Sequence, residues 1–414
     1  MKLVQKAFAF CILISLVSPS HSDDGEEISH LEKANQLFTQ THQMTKGKAL
    51  VEQISIVEKF AQQHADDFFI YSMLTQDLSW RYSRAGLHSK AIEAMDATYG
   101  KDEGETSEIA NYTAVPAAPE ILKLASNYPI LMLNEAHHNA QHRVFTYRLL
   151  DKLWDEGFRY FAAEVFLPEC EQELEKAYVT PNCGFYSQEP IFANLILKAK
   201  EMGFQIISYD NDLPNKSQTT EERETNAASV IQGKVFAKDP DAKLVVHVGY
   251  AHINEKDWLA GKLSQLTGLE ILTVNQVSHT ERSRQDLESP IYKHVAKNLS
   301  SEPVALSNGE KFWCEPKKEC DIEVFWPRTR FHNNRPEWAS LGRHSIEMDS
   351  SICKGKAPCL VEVLLHDKAD EVPSDRIVID KADGATSVFL QQGRNTVIVT
   401  GADGSQLSKK ELDI

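Results

Sequence analysis

The chain has 414 residues, with 44 Lys and Arg against 60 Asp and Glu, a formal charge of −16. At roughly 100–200 residues per domain this length corresponds to two or three domains. A hydrophobic content of 42% with 25% charged residues excludes wholesale disorder. The acidic balance argues against nucleic acid as the main partner, because phosphate binding needs clustered Lys and Arg.

The N-terminus reads as a signal peptide. Lys2 and Lys6 precede the apolar stretch Ala7–Val17, and Ser20 and Ser22 supply the small residues for cleavage after Ser22. The apolar run falls short of the roughly 20 residues a membrane-spanning helix needs. Cys11 lies inside it without a lipoprotein context, and no later segment is apolar enough to span a bilayer. The expectation is an exported protein, periplasmic or secreted, with no transmembrane segment. Beyond Cys11 six cysteines remain, in close pairs 13, 6 and 6 residues apart. In an oxidising compartment the simplest pairing is Cys170–Cys183, Cys314–Cys320 and Cys353–Cys359. The rival is a zinc site from the last four cysteines, which lack the short Cys-x(2–4)-Cys spacing.

Residues 23–119 read as helical, with a linker at 101–119. Within them LSWRYSRAGLHSKAIEAMD gives two helices joined at Ala85-Gly86, with Ala91, Ile92 and Met95 on one apolar face. This is similar to one tetratricopeptide-type helix pair, and equally to a helical cap on the next domain.

From 120 to 280 apolar runs alternate with helical segments. The runs are YPILML (128–133), FRYFAA (158–163), FQIIS (204–208), KLVVHVG (243–249) and LEILTV (269–274). The helical segments lie near 140–156, 188–202, 220–237 and 255–267. This alternation predicts an α/β fold, a mainly parallel sheet flanked by helices. The segment 167–187 interrupts it and reads as an inserted loop closed by Cys170 and Cys183. From 300 to 414 the pattern predicts a small disulfide-stabilised β domain, with strands at 321–326, 359–366, 376–380, 386–390 and 395–400. Turns at Ala382-Asp383-Gly384, Gln392-Gly393-Arg394 and Ala402-Asp403-Gly404 separate the later ones.

The chemistry follows the central strands. The first runs into Asn134-Glu135-Ala136-His137-His138-Asn139-Ala140-Gln141-His142, the second ends in Glu164, the third in Tyr209-Asp210-Asn211-Asp212, and the fourth in Gly249-Tyr250-Ala251-His252. In an open parallel sheet these carboxyl ends share one edge, where ligands bind. Imidazoles and carboxylates gathered there can hold a transition metal or share acid–base work. Taken singly, Glu135 could serve only the following helix start, His137 and His138 the surface, and Asp210 and Asp212 a turn. Glu164 stands inside an apolar run, where a carboxylate needs a partner. His247, within its strand, reads as a buried supporting histidine.

NEAHHNAQH resembles the Gly-Glu-x-His-Asp-Asn-x-x-His motif of the ChaN-like haem-binding proteins and the shorter Gly-Glu-x-x-His stretch of erythromycin esterases. AAEVF resembles their Leu-Glu-Met-Phe segment, RETNAA their Arg-Asp/Glu-x-x-Met-Ala helix, and VVHVGYAHI their closing Gly-x-x-His strand. The Tiki and TraB proteins, some of them metal-dependent proteases, belong to the same broad superfamily. The four motifs keep their order across about 120–280. Asn134 stands where that family has Gly, His138 where it has Asp, and Ala227 where it has Met. The resemblance implies Glu135, His137, His142, Glu164, Arg223 and His252 as site residues.

Two readings follow. In a hydrolase of an ester, lactone or peptide bond, Glu135 or Glu164 acts as base toward water. His137 or His252 then partners it or, with His142, ligates a divalent transition metal, and Arg223 steadies developing negative charge. The substrate is a small molecule or peptide. In the alternative, a haem- or iron-binding protein, His137, His142, His252, Tyr209 or Tyr250 ligates iron. The hydrolase reading is favoured because paired buried carboxylates serve water activation better than haem. It carries the expectation that Glu135→Gln abolishes turnover and leaves stability nearly intact.

Overall fold

The computed structural model describes residues 24–102, 104–164, 166–209, 219–299, 301–380 and 385–414, without the side chains of 24–32 and 35. The expected signal peptide, Asp210, Asp212 and the turn at 382–384 lie outside the described residues. Among the described residues no helix is long and apolar enough to cross a membrane.

Four helices come first: α1 (Asp24–Thr45), α2 (Leu50–Gln63), α3 (Phe68–Arg84) and α4 (His88–Asp96). The third and fourth are the pair read from the sequence, and Ala91, Ile92 and Met95 are buried. Strand β1 (Thr113–Pro116), helix α5 (Ala117–Ala125), β2 (Ile130–Glu135), α6 (Gln141–Asp155) and β3 (Tyr160–Ala163) follow. Then come α7 (Cys170–Glu173), α8 (Pro190–Met202), β4 (Gln205–Ile207), α9 (Thr220–Ile231), β5 (Leu244–Gly249), α10 (Leu259–Thr267), β6 (Ile271–Asn275) and α11 (Pro290–Ala296). Strands β7 (Val304–Ser307) and β8 (Ile322–Phe325) complete the large sheet.

That sheet has eight strands in the order β1-β7-β8-β6-β2-β5-β3-β4. β8, β6, β2, β5, β3 and β4 pair in parallel, and β7 and β1 add antiparallel at one edge. The central strands are buried along their whole length, which is why they read as unbroken apolar runs. Alternate residues serve opposite layers. Leu131 and Leu133 join Val144, Leu149, Leu195 and Ile196 from α6 and α8. Ile130 and Met132 join Ala228, Ile231, Leu259 and Leu263 from α9 and α10.

The sheet reaches beyond the sequence-based boundaries. The segment 321–326, expected in the small β domain, supplies β8, which pairs with β6 through Val274 and Ile322. All four residues of β8 are buried, as a strand covered on both faces requires. β1 comes from the expected linker; its Pro116 is tolerated because an edge strand needs fewer N–H donors.

The C-terminal part is antiparallel. A short hairpin, β9 (Phe331–His332) with β10 (Arg335–Pro336), precedes β11 (His344–Met348), which pairs with β14 (Thr386–Leu390). A four-stranded sheet has the order β13-β12-β15-β16, from β12 (Cys359–Leu364), β13 (Asp375–Ile379), β15 (Arg394–Gly401) and β16 (Gln406–Asp413). Cysteines pair as Cys170–Cys183, Cys314–Cys320 and Cys353–Cys359, with Cα separations of 4.0, 5.9 and 5.6 Å. This excludes the zinc arrangement and fits an oxidising compartment. Cys314–Cys320 closes the loop entering β8, so it belongs to the large sheet and not, as expected, to the small one.

Candidate active site

β2 delivers Glu135 to the carboxyl edge, and the turn after it carries His137. Glu135 is buried at 2% exposure and every lone pair is engaged. Arg143 grips it with Nε and Nη2, both 2.6 Å from carboxylate oxygens. His137 Nδ1 lies 2.8 Å from Oε1 and His247 Nε2 lies 2.8 Å from Oε2. Arg143 is fully buried in the first turn of α6; its Nη1 donates to Glu189 at 2.9 Å and Nη2 to the His137 carbonyl at 2.9 Å. Burial pushes the Glu135 carboxyl up, but Arg143 and the two imidazole hydrogen bonds outweigh it and hold Glu135 well below the carboxylate range. Thr146 Oγ1, 3.0 Å from His247 Nδ1, fixes that ring as well.

With Nδ1 committed to Glu135, His137 keeps a buried Nε2 that has no hydrogen-bond partner among the described residues. Tyr186 stacks on its ring at 3.9 Å and Tyr250 meets it edge-on at 5.1 Å. The nearest acid is Glu164, whose Oε2 is 3.8 Å from Nε2.

Glu164 follows β3 and binds the end of β5. Its Oε2 accepts from the Gly249 N–H at 2.6 Å and its Oε1 from Arg223 Nη2 at 3.2 Å. His252 Nε2 is 3.6 Å from Oε1, while His252 Nδ1 is 2.7 Å from Glu224 on α9. Burial lowers the His252 pKa, but Glu224 and Glu164 overcome it and raise the value to about 10. Burial raises the Glu164 pKa, and the charge on His252 leads the interactions that more than reverse this.

Gly249 explains how the two halves come so close. A Cβ there would lie 2.4 Å from the His137 ring and 2.8 Å from Glu164 Oε2. The next residue, Tyr250, has φ of 39°, a left-handed conformation that a bulky side chain adopts only under constraint. Asn134 supplies part of that constraint: its Nδ2 donates to the Tyr250 carbonyl at 2.8 Å and its Oδ1 accepts from Gln276 N–H at 2.7 Å.

The structure thus gathers Glu135, His137, Glu164, Arg223 and His252 in one contiguous cluster. His142 turns into its own loop, accepting at Nδ1 from the Ala136 N–H at 3.0 Å with Nε2 3.3 Å from the Asn139 amide. Burial drives its pKa down to about 3. Tyr209 lies in the apolar layer beneath α9, with Ala227 in the same layer. The Tyr250 phenol is pushed well above its ordinary pKa by burial and by the charges of Tyr99 and Glu135. Its hydroxyl is 3.4 Å from Nδ1 of the partly buried His138. Arg143, Glu189, Glu224 and Tyr186 escape the sequence reading as site residues, and Gly249 enters it only as the end of a strand. Arg143 and Glu224 nonetheless flank motif residues, directly after His142 and Arg223.

Among the described residues no group of three or more His, Cys, Asp or Glu is disposed to hold a metal ion. The donors are engaged with one another: His142 and His247 use both ring nitrogens, and Glu135 uses both oxygens. Of the five side chains considered as iron ligands, His137 is the one with a ring nitrogen shown to lack a hydrogen bond.

No family model matches the sequence, and no curated protein does. Solved structures with some likeness include the type III effector HopBA1, at 10% identity over 53% of this chain and 98% of that one, with a TM-score of 0.33. Another is RRSP, a MARTX toxin effector domain from Vibrio vulnificus, at 15% identity over 59% and 50%, TM-score 0.28. A third is ChaN of Campylobacter jejuni with cofacial haem, at 11% identity over 55% and 99%, TM-score 0.26. Likeness at these scores carries no argument about activity.

Proposed function

We propose that the protein is an exported hydrolase that splits an ester, lactone or peptide bond by general acid–base catalysis. The observation that carries this reading is the state of His137: one ring nitrogen is fixed by an ionised carboxylate, and the other is buried, without a hydrogen bond among the described residues, 3.8 Å from Glu164. An imidazole held in one tautomer by a carboxylate is a poised proton acceptor. Glu135 is then the residue that orients the base and not the base itself, because Arg143 and two imidazoles occupy it completely. Water held by His137 Nε2 and Glu164 gives its proton to His137 as it attacks the carbonyl. Arg223 and the charged His252 stand on the other side of Glu164, suited to balancing negative charge and to protonating the leaving group. A metal-assisted variant of this reading would have to draw donors away from these pairs.

The test is a screen of ester, lactone and peptide substrates, repeated with His137→Asn. Turnover by the wild type with a loss of about 10²- to 10⁴-fold in the variant is expected. If no substrate turns over, and added haem gives a Soret band that His137→Asn alters, the hydrolase reading gives way to haem binding.

A further inference from the structure

A second pocket lies away from the carboxyl edge, between the N-terminal helices and the segment 185–188. Its volume is about 240 Å³, and its walls include His42, Lys46, Arg81, Arg84, Trp80 and Phe185. Every ionisable residue described in the lining is basic, in a chain whose formal charge is −16. Arg81 is satisfied: its Nε sits 3.1 Å from both Asp77 oxygens and its Nη1 is 2.7 Å from Gln53. Arg84 is not. It forms no ion pair among the described residues, and its Nε–H is buried without a partner, as is the indole N–H of Trp80. Burial and the nearby guanidinia of Arg376 and Arg81 pull the Arg84 pKa down to about 9. A half-buried guanidinium with an unpaired Nε–H, whose nearby carboxylates Asp77 and Glu362 are already paired with Arg81 and Arg376, is stabilised by an incoming anion.

We propose that this pocket binds a small organic anion, whose carboxylate or phosphate group is met by Arg84 and Lys46 and whose apolar part lies against Trp80 and Phe185. The volume suits such a ligand: at about 30 Å³ per water it equals roughly eight waters, close to a single ring bearing one acidic group. Planar guanidinium forks match both carboxylate and phosphate oxygens, and the aromatic walls supply the apolar complement. The pocket also touches the machinery of the first site through one segment. Phe185 lines the pocket, the next residue, Tyr186, stacks on His137, and Glu189 holds Arg143. Trp80 completes the connection, 5.0 Å from both Phe185 and Tyr186 and 5.6 Å from the Arg143 guanidinium.

The inference stands whether or not the chain is a hydrolase, because its readout is binding. Calorimetric titration of the full chain with benzoate, phenyl phosphate and neutral benzamide tests it. Saturable binding of benzoate or phenyl phosphate is expected, with benzamide silent, and the stronger of the two anions identifies the acidic group. Arg84→Gln should weaken that binding at least about tenfold. Its fold should persist, since no ion pair is lost; should it not, Lys46→Gln carries the same expectation of weakened binding. The proposal is overturned if neither anion binds, if benzamide binds as tightly as the anions, or if both variants bind like the wild type.

Discussion

The two halves of the candidate site are built on the same unit, a carboxylate hydrogen-bonded to the Nδ1 of an imidazole, and they differ in what else the carboxylate meets. On the β2 side Glu135 has Arg143 in a two-point grip and a second imidazole, His247. Its charge is matched without any demand on His137. On the α9 side Glu224 has His252 on one oxygen, while its other oxygen is buried without a hydrogen bond among the described residues. There the imidazole itself must supply the positive charge, and a second carboxylate, Glu164, reinforces this. One unit therefore leaves a ring nitrogen to accept a proton, and the other holds a ring that has one to give. An arginine decides which is which.

Removing that arginine should have the largest effect. Arg143→Leu leaves Glu135 and Glu189 buried without their cation, and breaking a buried pair from one side costs about 3–5 kcal/mol. Urea unfolding should show this as a lower midpoint; a loss below about 1 kcal/mol would mean that the histidines alone can hold Glu135. Next comes Gly249→Ala, which strikes both halves. Its methyl group would enter the space of the His137 ring and Glu164 Oε2, for about 1–3 kcal/mol of overpacking and a displaced base. Wild-type stability and activity in this variant would show that the approach of the halves is looser than described.

The carboxylates themselves sharpen the contrast. In Glu135→Gln the new NH₂ must face two of the four donor groups, whichever oxygen it replaces, so about 1–3 kcal/mol should be lost. In Glu224→Gln the amide oxygen can still accept from His252 Nδ1, and the NH₂ replaces an oxygen that no donor among the described residues approaches. The loss there should be smaller. This revises the expectation drawn from shape alone, that Gln at 135 leaves stability intact: shape is kept, but the site's donors outnumber what one amide oxygen can accept. Equal losses in the two variants would refute the asymmetry.

Much of this architecture is legible in the amino-acid sequence. Strands covered on both faces must be unbroken apolar runs, so 128–133 and 243–249 stand out, and with them the polar residues at their ends. The disulfides are legible because each pair is close in sequence. Arg143 is not, because QHRVFTYRLLDKLWD reads as a helix with basic residues facing water, and nothing in the pattern separates Arg143 from the largely exposed Arg148. β16 is hidden for the opposite reason: QLSKKELD has no apolar alternation, since an edge strand with one partner can carry Lys and Glu. β8 is recognisable as a strand but not as a member of the large sheet, because a short apolar run does not say which neighbour it pairs with.

The last difference between the halves is in their response to pH, and it is the smallest per step. An unfolded His titrates near 6.5, whereas folding lifts His252 to about 10 because the Glu224 and Glu164 carboxylates overcome the cost of burial. Below pH 6.5 both states carry the proton and the stabilisation is fully present. Between 6.5 and about 10 the unfolded chain has lost its proton while the folded chain keeps it, so stability falls as pH rises, by up to about 1.4 kcal/mol per pH unit. The opposite half has no such window: Glu135 is held well below its ordinary pKa and Arg143 well above its own. The stability difference between wild type and His252→Asn should therefore shrink steadily from pH 6.5 toward 10, while that between wild type and Arg143→Leu stays level. Urea unfolding of the three proteins across this range decides the matter. A His252→Asn difference that stays constant with pH would mean that the imidazole does not carry the charge assigned to it, and the division of the site into a proton-accepting and a proton-holding half would fail.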